Sequence, residues 1–314
     1  MPYSSTDTFT VLIAIALAAV GGELFLRGVL DLSAWLRLPR LLVATSISAF
    51  ATSSPEFTVS TMAALAGTPE IGLGDALGSN VVNICLIFAL ALLWGPISAQ
   101  SRAHRRDFLF TIVVPILTLI LAFDGQLSRW DGALLLSLFA LWVALLSRQT
   151  ILYRHAKVQD ALPVSVSRHA MSTSLLAVVG LSFLFLAGRL FVIGASGIAS
   201  ALGISSYIVG ATVVALGTSL PELVTTLLAR WRGHDDVGLG TLLGSNLFNG
   251  LAIVGTTAAI HPIQASRGDV SIALIFGVFA ALLILPHQGV IPKQRGFMLL
   301  AVYAIYIVLT FSHE

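Results

Sequence analysis

Apolar residues dominate this chain in runs of roughly twenty, the length at which an α-helix crosses the ~30 Å hydrocarbon core of a bilayer. The pattern predicts ten such spans, near residues 8–26, 40–65, 72–94, 108–123, 131–147, 169–189, 205–229, 238–260, 270–286 and 297–312. Short polar or charged segments separate them. The second and seventh spans are the least hydrophobic, because Ser, Thr, Pro and one Glu interrupt each. The expectation is an all-α integral membrane protein with ten transmembrane helices.

Those two interrupted spans are copies of one unit. ATSISAFATSSPEFTVST (44–61) aligns with GATVVALGTSLPELVTTL (210–227), with Glu56 and Glu222 offset by 166 residues. The same offset pairs Gly72-Leu73-Gly74 with Gly238-Leu239-Gly240, Gly78-Ser79-Asn80 with Gly244-Ser245-Asn246, and Asn83 with Asn249. The chain therefore divides into a first five-helix repeat (1–147), a cytoplasmic linker (148–168) and a second five-helix repeat (169–314). An odd number of spans per repeat makes the second copy enter the membrane upside down, the inverted-repeat plan of many secondary transporters.

Charge supports that plan. Only 10% of the residues are charged and 57% are apolar, against about 25% charged in an average soluble domain. The loops after spans one, three, five, seven and nine carry 14 of the 17 Lys and Arg residues, and the opposite side carries Arg129, Arg189 and Arg267. The positive-inside rule then puts both termini on the periplasmic or extracellular side of a plasma membrane, in a prokaryote the inner membrane. The net charge of +2 is spread over short loops and is no nucleic-acid signal. Membrane lipids and transported cations are the expected partners, with no required protein partner evident. Cys85 lies in an apolar run and reads as packing.

A carboxylate in hydrocarbon is expensive and marks an ion or substrate path when it persists. Ser48, Thr52 and Glu56 recur every four residues and share one helix face. Pro55 has no amide hydrogen and clashes with the carbonyl four residues back, at Ala51. A kink there is expected to leave carbonyls near Ala49 to Ala51 short of partners. Pro221 does the same beside Thr218, Ser219 and Glu222. The following span adds Asp75, Ser79 and Asn83 in one copy, and Thr241, Ser245 and Asn249 in the other. The glycines between them permit close helix approach. The repeated polar positions offer carboxylate, hydroxyl and amide oxygens without imidazole or thiolate, the ligand set of a hard cation such as calcium.

Other polar features are bland. GLGDALG is a GxGxxxG string with no preceding strand, and does not read as a dinucleotide loop. His104, His155, His169 and His234 fall in or beside loops and read as surface residues. Glu23 pairs with Arg189 under the repeat, so symmetry assigns it no role; Arg27 is a candidate ion-pair partner. A cation channel and a membrane enzyme using paired acids are the other function classes. Neither a filter motif nor a nucleophile–base pair is visible in their support.

ATSSPE (51–56) with GSNVVN (78–83), and GTSLPE (217–222) with GSNLFN (244–249), resemble the motifs of the cation/calcium exchanger superfamily, within it the prokaryotic sodium/calcium exchanger-like proteins. The likeness covers nearly the whole chain. It implies an antiporter that couples calcium movement to a counterflow of sodium, with potassium or proton variants, and no cofactor. It implies central acids at Glu56 and Glu222, hydroxyl ligands at Thr52, Ser53, Ser79, Thr218, Ser219 and Ser245, backbone carbonyl ligands at Ala49 and Ala215, and an amide ligand at Asn83. Two positions depart from the pattern. Asn249 stands where many calcium-transporting members have Asp, and Asp75 stands where Asn is common. One acid is thus missing from its usual place and another is present one turn before Ser79. The implied mechanism is alternating access, with calcium and the counter-ion competing for the same carboxylates; a proton-coupled calcium or monovalent cation antiporter is the alternative reading. Spans one and six would slide past the core on glycine contacts at Gly22, Gly28, Gly188 and Gly194.

Overall fold

The computed structural model describes residues 5–67, 69–99, 102–158, 170–201, 215–264 and 267–312. The first part of the seventh predicted span, residues 159–168 of the predicted linker and both chain ends therefore lie outside the described residues. The helices are α1 (Ser5–Leu36), α2 (Arg40–Thr52), α3 (Ser54–Leu65), α4 (Pro69–Leu93), α5 (Arg102–Leu121), α6 (Arg129–Val158), α7 (Ala170–Ala201), α8 (Ala215–Thr218), α9 (Leu220–Trp231), α10 (Asp235–Ile260), α11 (Arg267–Leu283) and α12 (Gln294–Ser312). Among the described residues α1, α4, α5, α6, α7 and α10 are each long and apolar enough to span a bilayer, and α2, α11 and α12 contain shorter apolar helices. The result is an all-α multi-pass membrane fold.

Proline does what the sequence predicts. The second span breaks at Ser53 (φ −86°, ψ 7°), which separates α2 from α3. The seventh breaks at Ser219 (φ −84°, ψ 10°), which separates α8 from α9. The wider π turns were not predicted. They occupy Ala44–Ser48 in α2, Val82–Phe88 in α4 and Phe248–Ile253 in α10. The last two start 166 residues apart. Such turns shift the helix register and concentrate at functional sites.

The sequence also gave no hint of four two-residue strands. Ile97–Ser98 (β1) pairs antiparallel with Val290–Ile291 (β4), and Gln126–Leu127 (β2) with Ile263–Gln264 (β3). Each ribbon ties one half of the chain to the other. β1 and β3 are images under the 166-residue offset, and the image of β2 falls within two residues of β4. The repeat thus exchanges the two ribbons.

Burial sorts the helices into an inner and an outer set. The most apolar window of α10 is 100% buried and that of α4 is 72% buried, against 22–33% for α1, α5, α6 and α7. Outer helices spend their apolar surface on lipid, whereas α10 spends its own on protein. The outer pair α1 and α7 pack backbone to backbone. A side chain on Gly28 would strike the backbone of Ala177, one on Gly180 the backbone of Phe25, and one on Gly194 the carbonyl of Asp7. Gly22 faces Val224 of α9, and Gly188 faces the Gly217 carbonyl of α8. All four glycines expected at sliding contacts therefore sit at tight ones. Exposed Trp35, Trp94, Trp130 and Trp231 mark helix ends, where an indole ring suits the membrane interface.

Candidate cation site

Glu56 and Glu222 are each the third residue of a helix that starts just after a break. The first turn of a helix carries unpaired amide hydrogens and the positive end of the macrodipole, so a carboxylate is favoured there. The breaks at Ser53 and Ser219 therefore create the two positions inside the bundle at which an acid is least costly. Both glutamates are 1% exposed.

Glycine brings the second shell of helices close. Gly72 lies on Ser60 and its repeat mate Gly238 lies on Thr226, so α4 meets α3 as α10 meets α9. Gly244 lies on the carbonyl of Thr45 and the side chain of Ala49, which presses α10 against α2 of the other repeat. The mirrored neighbours of Gly78 fall partly outside the described residues.

Hydroxyl groups then cross between repeats. Ser53 Oγ and Ser245 Oγ donate to Glu222 Oε1 at 3.3 Å and 3.1 Å. Thr52 Oγ1 and Ser245 Oγ are 3.3 Å apart, and Ser48 Oγ lies 3.2 Å from Thr241 Oγ1. Thr52, Ser53, Ser219 and Ser245 are fully buried.

Seven side-chain oxygens at the predicted site positions are buried without a hydrogen-bond partner among the described residues: Glu56 Oε2, Glu222 Oε2, Asp75 Oδ2, Ser79 Oγ, Ser219 Oγ, Asn83 Oδ1 and Asn249 Oδ1. Their chemistry fits a hard cation, since calcium takes six to eight oxygens at ~2.3–2.6 Å. Three of these residues, Glu56, Glu222 and Asp75, are acids. None of the ion pairs among the described residues involves any of the three. Buried unpaired charge costs several kcal/mol or more per ion, so this cluster has use for a positive ion.

The expectation for Ala49 needs correction. Its carbonyl accepts from Ser53 N at 3.0 Å and from Thr52 Oγ1 at 3.2 Å, so both lone pairs are engaged. The break retains this bond because it falls one residue after Thr52, not at Ala51. Ala215 opens α8, and its side-chain surroundings lie outside the described residues. Thr218 makes an interaction of its own.

Sequence reasoning missed three features. Asn80 and Asn246 grip each other's backbones: Asn80 Nδ2 donates to Asn246 O at 3.2 Å, and Asn246 Nδ2 donates to Asn80 O at 3.1 Å. Their identity in both copies of the GSN motif was the available signal. Glu23 pairs with Arg27 as expected, at 2.6 Å, but also with Arg232 at 2.7 Å, joining α1 to the turn after α9. Asp107, 1% exposed, accepts from Arg106 at 2.8 Å and from Trp142 Nε1 at 3.4 Å. It has no acidic repeat mate and so carried no sequence signal. His234 lies 3.0 Å from Arg40, consistent with a loop residue.

The family model described as sodium/calcium exchanger protein matches residues 6–148 and 172–312, which takes in both repeats and every residue of the site. The chain belongs to that family. CaxA of Alkalimonas amylolytica is 32% identical over 97% of this chain and 98% of its own. Inner membrane protein YrbG of Escherichia coli (strain K12) is 33% identical over 78% of each chain. Among solved structures, the sodium-calcium exchanger NCX_Mj soaked with Na+ and Ca2+ superposes with a TM-score of 0.79 at 27% identity, covering 97% of this chain and 98% of that one. The exchanger is a transporter.

Proposed function

We propose that this exchanger moves calcium against sodium across the prokaryotic inner membrane, by alternating access at one shared site. Glu56, Glu222 and Asp75 supply the charge. Ser79, Ser219, Asn83 and Asn249 supply neutral oxygens, and Thr52, Ser53 and Ser245 hold Glu222 in place. The observation that carries this reading is that Glu56, Glu222 and Asp75 each keep a buried carboxylate oxygen without a hydrogen-bond partner, and take part in none of the ion pairs among the described residues. The family resemblance adds Thr218 and the backbone carbonyl of Ala215 to the ligand set. For Ala49 the same role would require its carbonyl to give up a bond.

The coupling follows from electrostatics. An empty site carries uncompensated negative charge and resists passage through the low-dielectric barrier. Bound calcium, or sodium ions in its place, offsets most of that charge, and the filled site passes. Ions of both kinds need the same oxygens, so one leaves before the other binds. Exchange results, and leak does not.

The inverted-repeat plan with ten spans is part of this proposal. It is supported by the interchange of the two ribbons, by the matched breaks at Ser53 and Ser219, and by π turns at matched positions. The distribution of basic loop residues supports an orientation with both ends outside the cytoplasm. The outer helices α1 and α7, touching α9 and α8 through Gly22 and Gly188, are the natural sliding elements.

Reconstitution tests the proposal. Vesicles loaded with sodium and diluted into sodium-free calcium medium should accumulate calcium, and dissipating the sodium gradient should stop uptake. Uptake that ignores sodium and follows a pH gradient would make the protein a proton-coupled exchanger. Uptake with no counter-ion would make it a channel.

A further inference from the structure

We infer that Asn246 is a positioning residue for the ion ligand Asn83, fixing which atom of the Asn83 amide faces the site. This inference rests on the shared-site reading above and deepens it. An asparagine side chain presents a donor on one branch and an acceptor on the other, and its neighbours decide which way it points. Here the decision begins at a backbone atom, which admits no ambiguity. The carbonyl of Asn80 is an acceptor, and Asn246 Nδ2 donates to it at 3.1 Å. Asn246 Oδ1 must then be the branch that faces Asn83. Asn83 therefore turns its Nδ2 to Asn246, at 2.9 Å. That leaves Asn83 Oδ1 on the other branch, buried and without a partner among the described residues.

The reverse orientation would set two oxygens against each other and present an amide N–H₂ to the cation. A donor at a cation site is repulsive, so the flip is decisive for ligand quality. Asn246 itself is 5% exposed and Asn83 is 1% exposed, so water has little access to substitute for the bond. The chain of bonds runs from α4 to α10 and back to α4, so the second repeat sets the ligand of the first. The mirrored acceptor, Asn80 Oδ1, has no partner among the described residues, nor has Asn249 Oδ1. The orienting contact is thus described for one repeat only. Asn80 serves as a clamp through its own Nδ2 on the Asn246 carbonyl.

The test uses purified full-length protein in sodium-loaded vesicles, reading the calcium concentration at half-maximal uptake. Asn246→Ala should raise it at least tenfold. Asn80→Ala removes a clamp bond of the same kind but spares the backbone carbonyl that orients Asn246, and should change it less than threefold. Asn83→Asp has two equivalent oxygens, so orientation no longer matters to it. In the wild-type background it sets a carboxylate against Asn246 Oδ1 and should impair uptake. Combined with Asn246→Ala it should restore uptake above either single variant. Asn246→Asp, matched in shape, keeps an acceptor for Asn83 but sets its second oxygen against the Asn80 carbonyl. It should weaken half-saturation less than Asn246→Ala does, and it covers the case in which the alanine variant does not fold.

Equal losses in Asn246→Ala and Asn80→Ala would reduce Asn246 to a clamp and overturn the inference. So would a double variant no better than its parents, or an Asn246→Asp variant as weak as Asn246→Ala. These outcomes are read against a working wild-type exchanger, whereas failure of the shared-site reading would appear in the wild type itself, as uptake indifferent to sodium.

Discussion

At the scale of single residues, the glutamates carry the account. Glu56→Gln and Glu222→Gln preserve size and one carbonyl oxygen but remove a charge from a buried ionic cluster, a loss of about 3–5 kcal/mol. Each should reduce calcium affinity by roughly two to three orders of magnitude and abolish exchange in vesicles, while the purified protein stays monodisperse. Near-normal exchange in both would move the charge of the site to Asp75. Asn249→Asp turns an amide whose Oδ1 has no partner among the described residues into an acid. It should tighten calcium binding and slow turnover, measured as a lower half-saturating concentration with a lower maximal rate. The residues legible in the sequence were those marked by repetition inside hydrocarbon, Glu56 and Glu222 above all. Asn246 was visible as part of a repeated motif, but its role was not, because an amide's orientation depends on a partner 163 residues away. Glu23 shows the same limit. Arg27 was legible as an i,i+4 partner, whereas Arg232 lies 209 residues on.

At the scale of elements, proline and glycine were the readable signals. Pro55 and Pro221 announced the helix breaks, and the breaks put each glutamate in a first helical turn. The exact hydrogen bonding at the break was not readable, which is why Ala49 was expected to have a free carbonyl and does not. The π turns have no compositional rule comparable to proline, and the ribbons are too short to show a period-two pattern. The glycines make a direct prediction. A methyl group at Gly244 would collide with the Thr45 carbonyl and the Ala49 side chain, whereas Gly74 has open space around it among the described residues. Gly244→Ala should cost about 1–3 kcal/mol through overpacking and lower the melting temperature in detergent. Gly74→Ala should leave it unchanged. Equal shifts in the two variants would contradict the close contact between α10 and α2.

At the scale of the whole molecule, the proposed plan is two five-span units in opposed orientation. Hydropathy gave the segments, and loop charge gave the sidedness. The interlock was not legible, since paired ribbons and crossed hydroxyl groups arise only once the two halves meet. Reporter tags fused to the two chain ends should both be reached from outside intact cells; tags on opposite sides would break the even span count. The central claim is that sodium and calcium occupy one set of carboxylates. Calcium binding to purified protein in detergent, titrated at rising sodium, tests it most directly. The account predicts that sodium raises the apparent Kd of calcium without lowering the number of sites, and that Glu222→Gln removes both the binding and its sensitivity to sodium. Calcium binding that sodium leaves unchanged, or that persists in Glu222→Gln, would contradict it.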